Sequence, residues 1–210
     1  MKICGVTSAR DAIACADAGA DAIGFNFWPR SPRHRPLAAI AEAAAAVAGR
    51  VERFGVFVDP SVEEVEAAFA ARAIDVAQLH GDEPPELVAR FAGRVVKALR
   101  LDGAASLARL ARWPGERLLV DAPSPGYGGS GARLDEDLAR SAVRAAAAQG
   151  RKLILAGGLT DGNVAAIVAR VRPWGVDVAS GVERAPGEKV LERVRRFVAA
   201  AKSALPSDPR

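Results

Sequence analysis

Short apolar runs recur along this chain. Each is closed by glycine or a polar residue, and each is followed by a stretch in which apolar positions return every three or four residues. Runs rich in Val, Ile and Leu without polar alternation mark strands covered on both faces, and the 3.6-residue recurrence marks the helices that cover them. Lys2-Ile3-Cys4 reads as the first strand, and Ser8 with Asp11 opens a helix to about Ala18, stopped by Gly19. Further strands are expected at residues 21–27, 53–59, 74–80, 95–99, 118–121, 152–156 and 176–180. Helices are expected at 37–48, after Pro60-Ser61 with Val62, Val65 and Phe69 on one face, in a short piece ending at Phe91, and at 104–112 and 135–149. Two more follow, one from a Thr160 cap to about Val171 and one over 188–201. Residues 28–36 carry three prolines and three arginines and cannot be regular structure.

Eight strand–helix units without a break imply parallel strands wrapped by helices. In about 200 residues the fold class is α/β, a single (β/α)8 TIM barrel near the lower size limit of that architecture. A doubly wound open sheet is the alternative. The barrel spans residues 1–203 as one domain, with 204–210 a polar, proline-containing tail that frays.

Composition narrows the setting. Half of the 210 residues are apolar and a quarter charged, which suits a globular core. No apolar run approaches the roughly 18 residues of a membrane span, and no secretion-signal pattern opens the chain. A soluble, cytoplasmic protein is expected, with Cys4 and Cys15 both reduced. The net charge of +4 comes from scattered arginines. It suits an anionic small molecule, and no basic patch interleaved with aromatics points to nucleic acid. Monomer and homodimer stay equally open.

In a parallel barrel the strand C-termini meet at one mouth, the usual address of the chemistry. They carry Cys4, Asn26, Asp59, His80, Asp121, Gly157-Gly158 and Ser180-Gly181. Gly157-Gly158 ahead of a helix, with Ser180-Gly181 after the eighth strand, offers backbone N–H donors for a phosphate. Tight turns alone would also use such glycines. Residues 126–131 formally match G-x-G-x-x-G, but neither a strand nor a helix abuts them, and a loop over the mouth is expected instead of a dinucleotide site. His34 and His80 are the only histidines, without metal-ligand spacing, so no metal is expected. His80 reads as a hydrogen-bonded strand-end residue, and a strand-end cysteine such as Cys4 is on its own more often packing than catalyst.

Six segments, in order along the whole chain, resemble the phosphoribosylanthranilate isomerase family. They are residues 2–7 (Lys2-Ile3-Cys4-Gly5-Val6-Thr7), 24–27 with Ser31-Pro32-Arg33, 78–81, Val120-Asp121 with 128–131, 156–159, and 178–183. The resemblance implies a (β/α)8 barrel that carries out the Amadori rearrangement of N-(5′-phosphoribosyl)anthranilate in tryptophan biosynthesis, without a cofactor. It further implies Cys4 as general base, Asp121 as general acid and Arg33 as the holder of the anthranilate carboxylate. Gly157, Gly158, Ser180 and Gly181 are expected at the phosphate. The chain departs from the family pattern at Glu136, where Trp is usual, at Ala179, where Ser is usual, and at Val190, where Asp is usual.

The residue types fit that chemistry. Ring opening needs a carboxylic acid still protonated when substrate binds, so Asp121 must sit above the ordinary carboxylate range. A cysteine removes a C–H proton only as thiolate, a small fraction at its ordinary value near 8.5. Other phosphosugar enzymes compete. An aldolase would need a Schiff-base lysine, for which only Lys97 is near, and an epimerase would need metal-binding His and Asp residues. A non-catalytic phosphate binder would have no use for Cys4 and Asp121 together.

Overall fold

The computed structural model describes residues 1–122 and 135–205. Eight parallel strands close into a barrel in sequence order, with the first bonded to both the second and the eighth. They are β1 (Lys2–Cys4), β2 (Ala22–Asn26), β3 (Glu52–Phe57), β4 (Val76–Leu79), β5 (Val95–Arg100), β6 (Arg117–Asp121), β7 (Lys152–Leu155) and β8 (Gly175–Val178). Helices alternate with them: α1 (Ala9–Asp17), α2 (Leu37–Ala45), α3 (Val62–Ala70), α4 (Pro85–Arg90), α5 (Ala104–Leu110), α6 (Glu136–Ala147), α7 (Val164–Val171) and α8 (Leu191–Ala204). Between β8 and α8 lie a 3-10 turn (Ser180–Val182) and a small antiparallel pair, β9 (Glu183–Ala185) with β10 (Glu188–Lys189).

Strand alternation divides the apolar residues into two layers. Ile3, Leu118, Val120, Val176 and Val178 face outward into one continuous core with the helices. Phe54, Val76, Val96, Ala98, Leu119 and Ile154 fill the barrel interior as a separate cluster. Each fully buried Leu, Ile or Phe contributes roughly 1.5–3 kcal/mol by leaving water. Residues of the inward parity nearest the mouth are polar: Lys2, Cys4, Gln78, His80, Asp121 and Asp177 are all buried.

Several local readings differ from the sequence expectation. Thr160 does not cap α7. Asn163 occupies the cap position, its side chain turned back to accept from Thr160 N (2.7 Å) and donate to Gly158 O (2.9 Å). Gly157-Gly158 therefore leads into a turn, and α7 opens only at Val164. Ser180-Gly181 likewise stands in the 3-10 turn and opens no α-helix. The last helix begins at Leu191 because residues 183–189 are taken by the β9–β10 pair, and it reaches Ala204. Asp59 lies two residues beyond β3. The glycine-rich loop of residues 126–131, and all but two residues of the 204–210 tail, lie outside the described residues.

Candidate active site

β1 brings Cys4 to the mouth as its last residue, and Gly5, at φ +73°, then turns the chain outward. The neighbouring position on β2 is Gly24, the register partner of Cys4. A Cβ there would stand 2.7 Å from Cys4 Sγ and 3.1 Å from Lys2 Nζ, so thiol and ammonium share the space this glycine leaves. Lys2 also pairs with Asp177 Oδ1 at 3.0 Å and lies over the Phe54 ring. Burial pushes the Cys4 thiol up; the Lys2 charge pulls it back and Asp177 pushes it further up. Burial alone would lower Lys2, but Asp177 and Cys4 outweigh it and hold the ammonium above its ordinary value.

Asp121 ends β6 and is almost fully buried. Its carboxyl is pushed up to about 6, first by burial and then by Asp177, against the Ala122 N–H, Lys2 and Arg100. Gly157 makes the room for it. At φ +93° its missing Cβ would lie 2.8 Å from Asp121 Oδ1 and 2.5 Å from Ala122 N. His80 Nε2 stands 3.6 Å from Asp121 Oδ2. The contact is not an ion pair, because burial, then Lys97, hold His80 down to about 3 and so uncharged. The Gln78 amide lies 3.5 Å from Nδ1, and Nε2 and the Gln78 carbonyl oxygen have no hydrogen-bond partner among the described residues. The expectation of a hydrogen-bonded His80 is met on one ring nitrogen alone.

Arg33 reaches the same mouth from the proline-rich segment. Asn26, at the end of β2, accepts from Trp28 N (2.9 Å), and Ser31 Oγ accepts from Arg33 N (3.2 Å), which fixes the loop. The Arg33 stem lies across Gly5, where a Cβ would be 2.3 Å from Arg33 Cδ. Its guanidinium donates to both Glu183 oxygens, Nε at 3.0 and 3.1 Å and Nη2 at 2.6 Å. Glu183 also accepts from Lys189 (2.7 Å) and from Gly187 N (3.1 Å), and Lys189 donates to the Cys4 carbonyl oxygen. Burial would raise Glu183, but Arg33 and Lys189 outweigh it and hold it below the usual carboxylate range. Nη1 of Arg33 makes no hydrogen bond among the described residues.

At the far side of the mouth the loops after β7 and β8 touch. A Cβ on Gly181 would lie 1.9 Å from the Leu159 carbonyl oxygen, so this close approach admits only glycine. Gly157, Gly158, Ser180 and Gly181 thus share one corner, beside Asp121 through Gly157. Lys97 is not a free amine: all three of its donors are engaged, by Leu79 O (3.2 Å), Gly81 O (2.6 Å) and Glu83 Oε2 (2.7 Å), and both charges are dry. A Schiff-base role has no support there. Asp59, at φ +48°, accepts from Asp82 N and donates its own N–H to Glu83, which ties the loops after β3 and β4. Among the described residues no set of three His, Cys, Asp or Glu side chains is placed to hold a metal.

The sequence reading did not single out Lys2, Asp177 and Glu183. Its one available signal was parity, since Lys2 and Asp177 stand on the inward face of strands buried on both sides, where a charge is expensive.

A family model described as N-(5′-phosphoribosyl)anthranilate isomerase matches residues 1–200. A Rubrobacter xylanophilus protein named N-(5′-phosphoribosyl)anthranilate isomerase is 46% identical over 208 residues, 97% of this chain and 98% of that one. A Myxococcus xanthus protein of the same name is 44% identical over 207 residues, 97% of this chain and 96% of its own. The crystal structure of the Thermotoga maritima phosphoribosyl anthranilate isomerase superposes with a TM-score of 0.86 at 35% identity, covering 96% of this chain and 98% of that chain. A phosphoribosyl anthranilate isomerase in complex with reduced 1-(o-carboxyphenylamino)-1-deoxyribulose 5-phosphate gives 0.83 at 32% identity, covering 96% and 97%. With a closed eight-stranded barrel, a family match over nearly its whole length and close full-length relatives of one name, the chain belongs to the N-(5′-phosphoribosyl)anthranilate isomerase family.

Proposed function

We infer that this barrel isomerises N-(5′-phosphoribosyl)anthranilate to 1-(2-carboxyphenylamino)-1-deoxyribulose 5-phosphate, a step of tryptophan biosynthesis, within a domain of residues 1–203. In our reading Asp121 is the general acid. It delivers its proton to the furanose ring oxygen as the bond from that oxygen to C1′ breaks, leaving an iminium at C1′. Cys4, as thiolate, removes the C2′ proton that the iminium has acidified, and the electron pair neutralises the nitrogen. The enolamine then ketonises, C1′ gaining a proton and the C2′ hydroxyl losing one. The observation that carries this reading is the placement of Asp121 at the end of β6, buried beside an uncharged His80; burial pushes its carboxyl up to about 6 and keeps part of it protonated near neutrality, where an ordinary aspartate is ionised.

Arg33 is the proposed anchor of the anthranilate carboxylate, through its Nη1 edge or by exchange with Glu183, and charge-assisted bonds of this kind are the strong ones. The backbone of Gly157, Gly158, Ser180 and Gly181 is the proposed phosphate corner, held by the loop contact at Gly181 and without help from a helix N-terminus at those residues. No helix among the described residues is long and apolar enough to cross a membrane, and we place the reaction in the cytoplasm. Monomer and homodimer both accommodate the site, because every residue assigned to it comes from one chain.

The test is direct. Purified protein mixed with freshly made phosphoribosylanthranilate is followed by the loss of substrate fluorescence. Enzyme-dependent loss that vanishes in Asp121→Asn is expected, and loss no faster than in buffer would refute the assignment.

A further inference from the structure

Beneath the mouth lies a charged pair that the roles above leave unused. Lys2 and Asp177 are register partners on β1 and β8, so both side chains leave toward the barrel interior, where they meet at 3.0 Å. Their side chains are 3% and 9% exposed. The same ammonium shares with the Cys4 sulfur the space left at Gly24, where a Cβ would stand 3.1 Å from Lys2 Nζ and 2.7 Å from Sγ, and both groups fit because position 24 carries no side chain. Two charges taken so far from water cost several kcal/mol each, and an apolar pair would fill a barrel interior without that cost.

We propose that Lys2 and Asp177 form a positioning pair for the isomerase site, in which the Lys2 ammonium supports the anionic form of the Cys4 sulfur while the Asp177 carboxylate favours the protonated form of Asp121. The proposal rests on Cys4 being the base and Asp121 the acid. Other charges face these two groups. Lys189 lies on the Cys4 carbonyl and also pulls Cys4 down, Arg33 lies across Gly5, and the two share the single carboxylate of Glu183. Arg100 of β5 and the uncharged His80 face Asp121. Lys2 and Asp177 differ from all of them in acting on both catalytic groups at once. Asp177 pushes Cys4 and Asp121 up together, and Lys2 pulls both down.

That shared action leaves a signature. The productive form needs a thiolate and a carboxylic acid together. The plot of kcat/KM against pH is then a plateau, with its lower limb set by Asp121 and its upper limb by Cys4. Loss of the anion should move both limbs down, and loss of the cation should move both up. A pair that only packs would lower the plateau and leave the limbs in place.

The experiment uses the full chain carrying Cys15→Ala, so that Cys4 is the one remaining thiol. The pH dependence of Cys4 alkylation by iodoacetamide is measured without substrate, and kcat/KM is measured against pH. Asp177→Asn should move the alkylation midpoint and both limbs down by about one pH unit or more, the usual effect of a neighbouring charge. Lys2→Met should move them up by a similar amount. Asp177→Asn keeps the shape and an oxygen for Lys2, so it carries the test if Lys2→Met does not fold. A folded Asp177→Asn protein with reduced turnover but unmoved midpoint and limbs overturns the proposal. Cys4→Ala with normal turnover would instead overturn the assignment of the base, a separate result.

Discussion

Above neutrality the resting site holds one proton on the Cys4–Asp121 pair, and it sits on the less useful partner. Burial keeps Cys4 a thiol, and Asp121, at about 6, is mostly ionised above neutrality. In the proposed mechanism the productive arrangement is a minor form that the bound substrate must favour, and both residues are then indispensable. Cys4→Ala is expected to lose about 10²–10⁴ in kcat, with Cys4→Ser nearly as poor and KM little changed. Cys15 is the control: its thiol, buried against α1's neighbours and pushed up to about 12, should cost stability and no chemistry when replaced by Ala. Arg33→Ala is expected to raise KM far more than it lowers kcat, while Arg30→Ala, on the exposed part of the loop, should do neither; steady-state kinetics at saturating and limiting substrate separate the cases. The strand-end positions of Cys4 and Asp121 were legible in the sequence because each is the last residue of an apolar run, whereas the roles expected of them came from the family resemblance alone. Lys2 and Asp177 were not, because a lysine at position 2 reads as a strand beginning in water. Its burial makes sense only beside a carboxylate 175 residues away. Gly157 was assigned to phosphate, and its contact with Asp121 was hidden for the same reason.

At the scale of elements, the apolar runs located every barrel strand, and every helix except for its ends. The helix expected after Pro60-Ser61 opens there, with Ser61 and Glu64 forming a capping box, and Ser8 accepts from Asp11 N at 3.1 Å. Two of the ends that went wrong have a visible local cause. Asn163 closes a turn on Thr160 and shortens α7, and β9 and β10, three and two residues long, are too short for any periodicity to register. Glu136, unusual for the family, pairs with Arg170 and so ties α6 to α7. Val190, also unusual, is the cap residue of α8 and supplies no side-chain acceptor to the helix N-terminus. Val190→Asp should therefore stabilise the fold by about 0.5–1 kcal/mol through a cap bond and a favourable charge at the helix start, with Val190→Ala giving no gain in the same urea titration.

For the molecule as a whole, Asp121 and His80 set opposing dependences of stability on pH. Asp121, raised by burial and Asp177 from an ordinary 3.8 to about 6, lends stability that is full below about 3.8 and lost as pH rises through about 6. His80, lowered by burial and Lys97 from 6.5 to about 3, lends stability that is full above about 6.5 and lost as pH falls toward about 3. Between roughly pH 4 and 6 folded and unfolded chains each hold one proton in this pair, so the slopes cancel. Asp121→Asn removes one side of the balance. Its unfolding free energy should fall by about 1.4 kcal/mol more per pH unit than the parent's as pH drops from about 6 to 4. Parallel stability curves for the two proteins over that range would contradict the buried, shared environment described for the mouth. The closure of the barrel by β1 against β8 has a consequence for synthesis. β1 is the first barrel strand to leave the ribosome and β8 the last, so Cys4 meets Asp177 only after the six intervening strands exist. Throughout translation it is a thiol on an unfinished chain, and a product terminated before β8 inherits the cysteine without the Lys2–Asp177 pair that we propose tunes it.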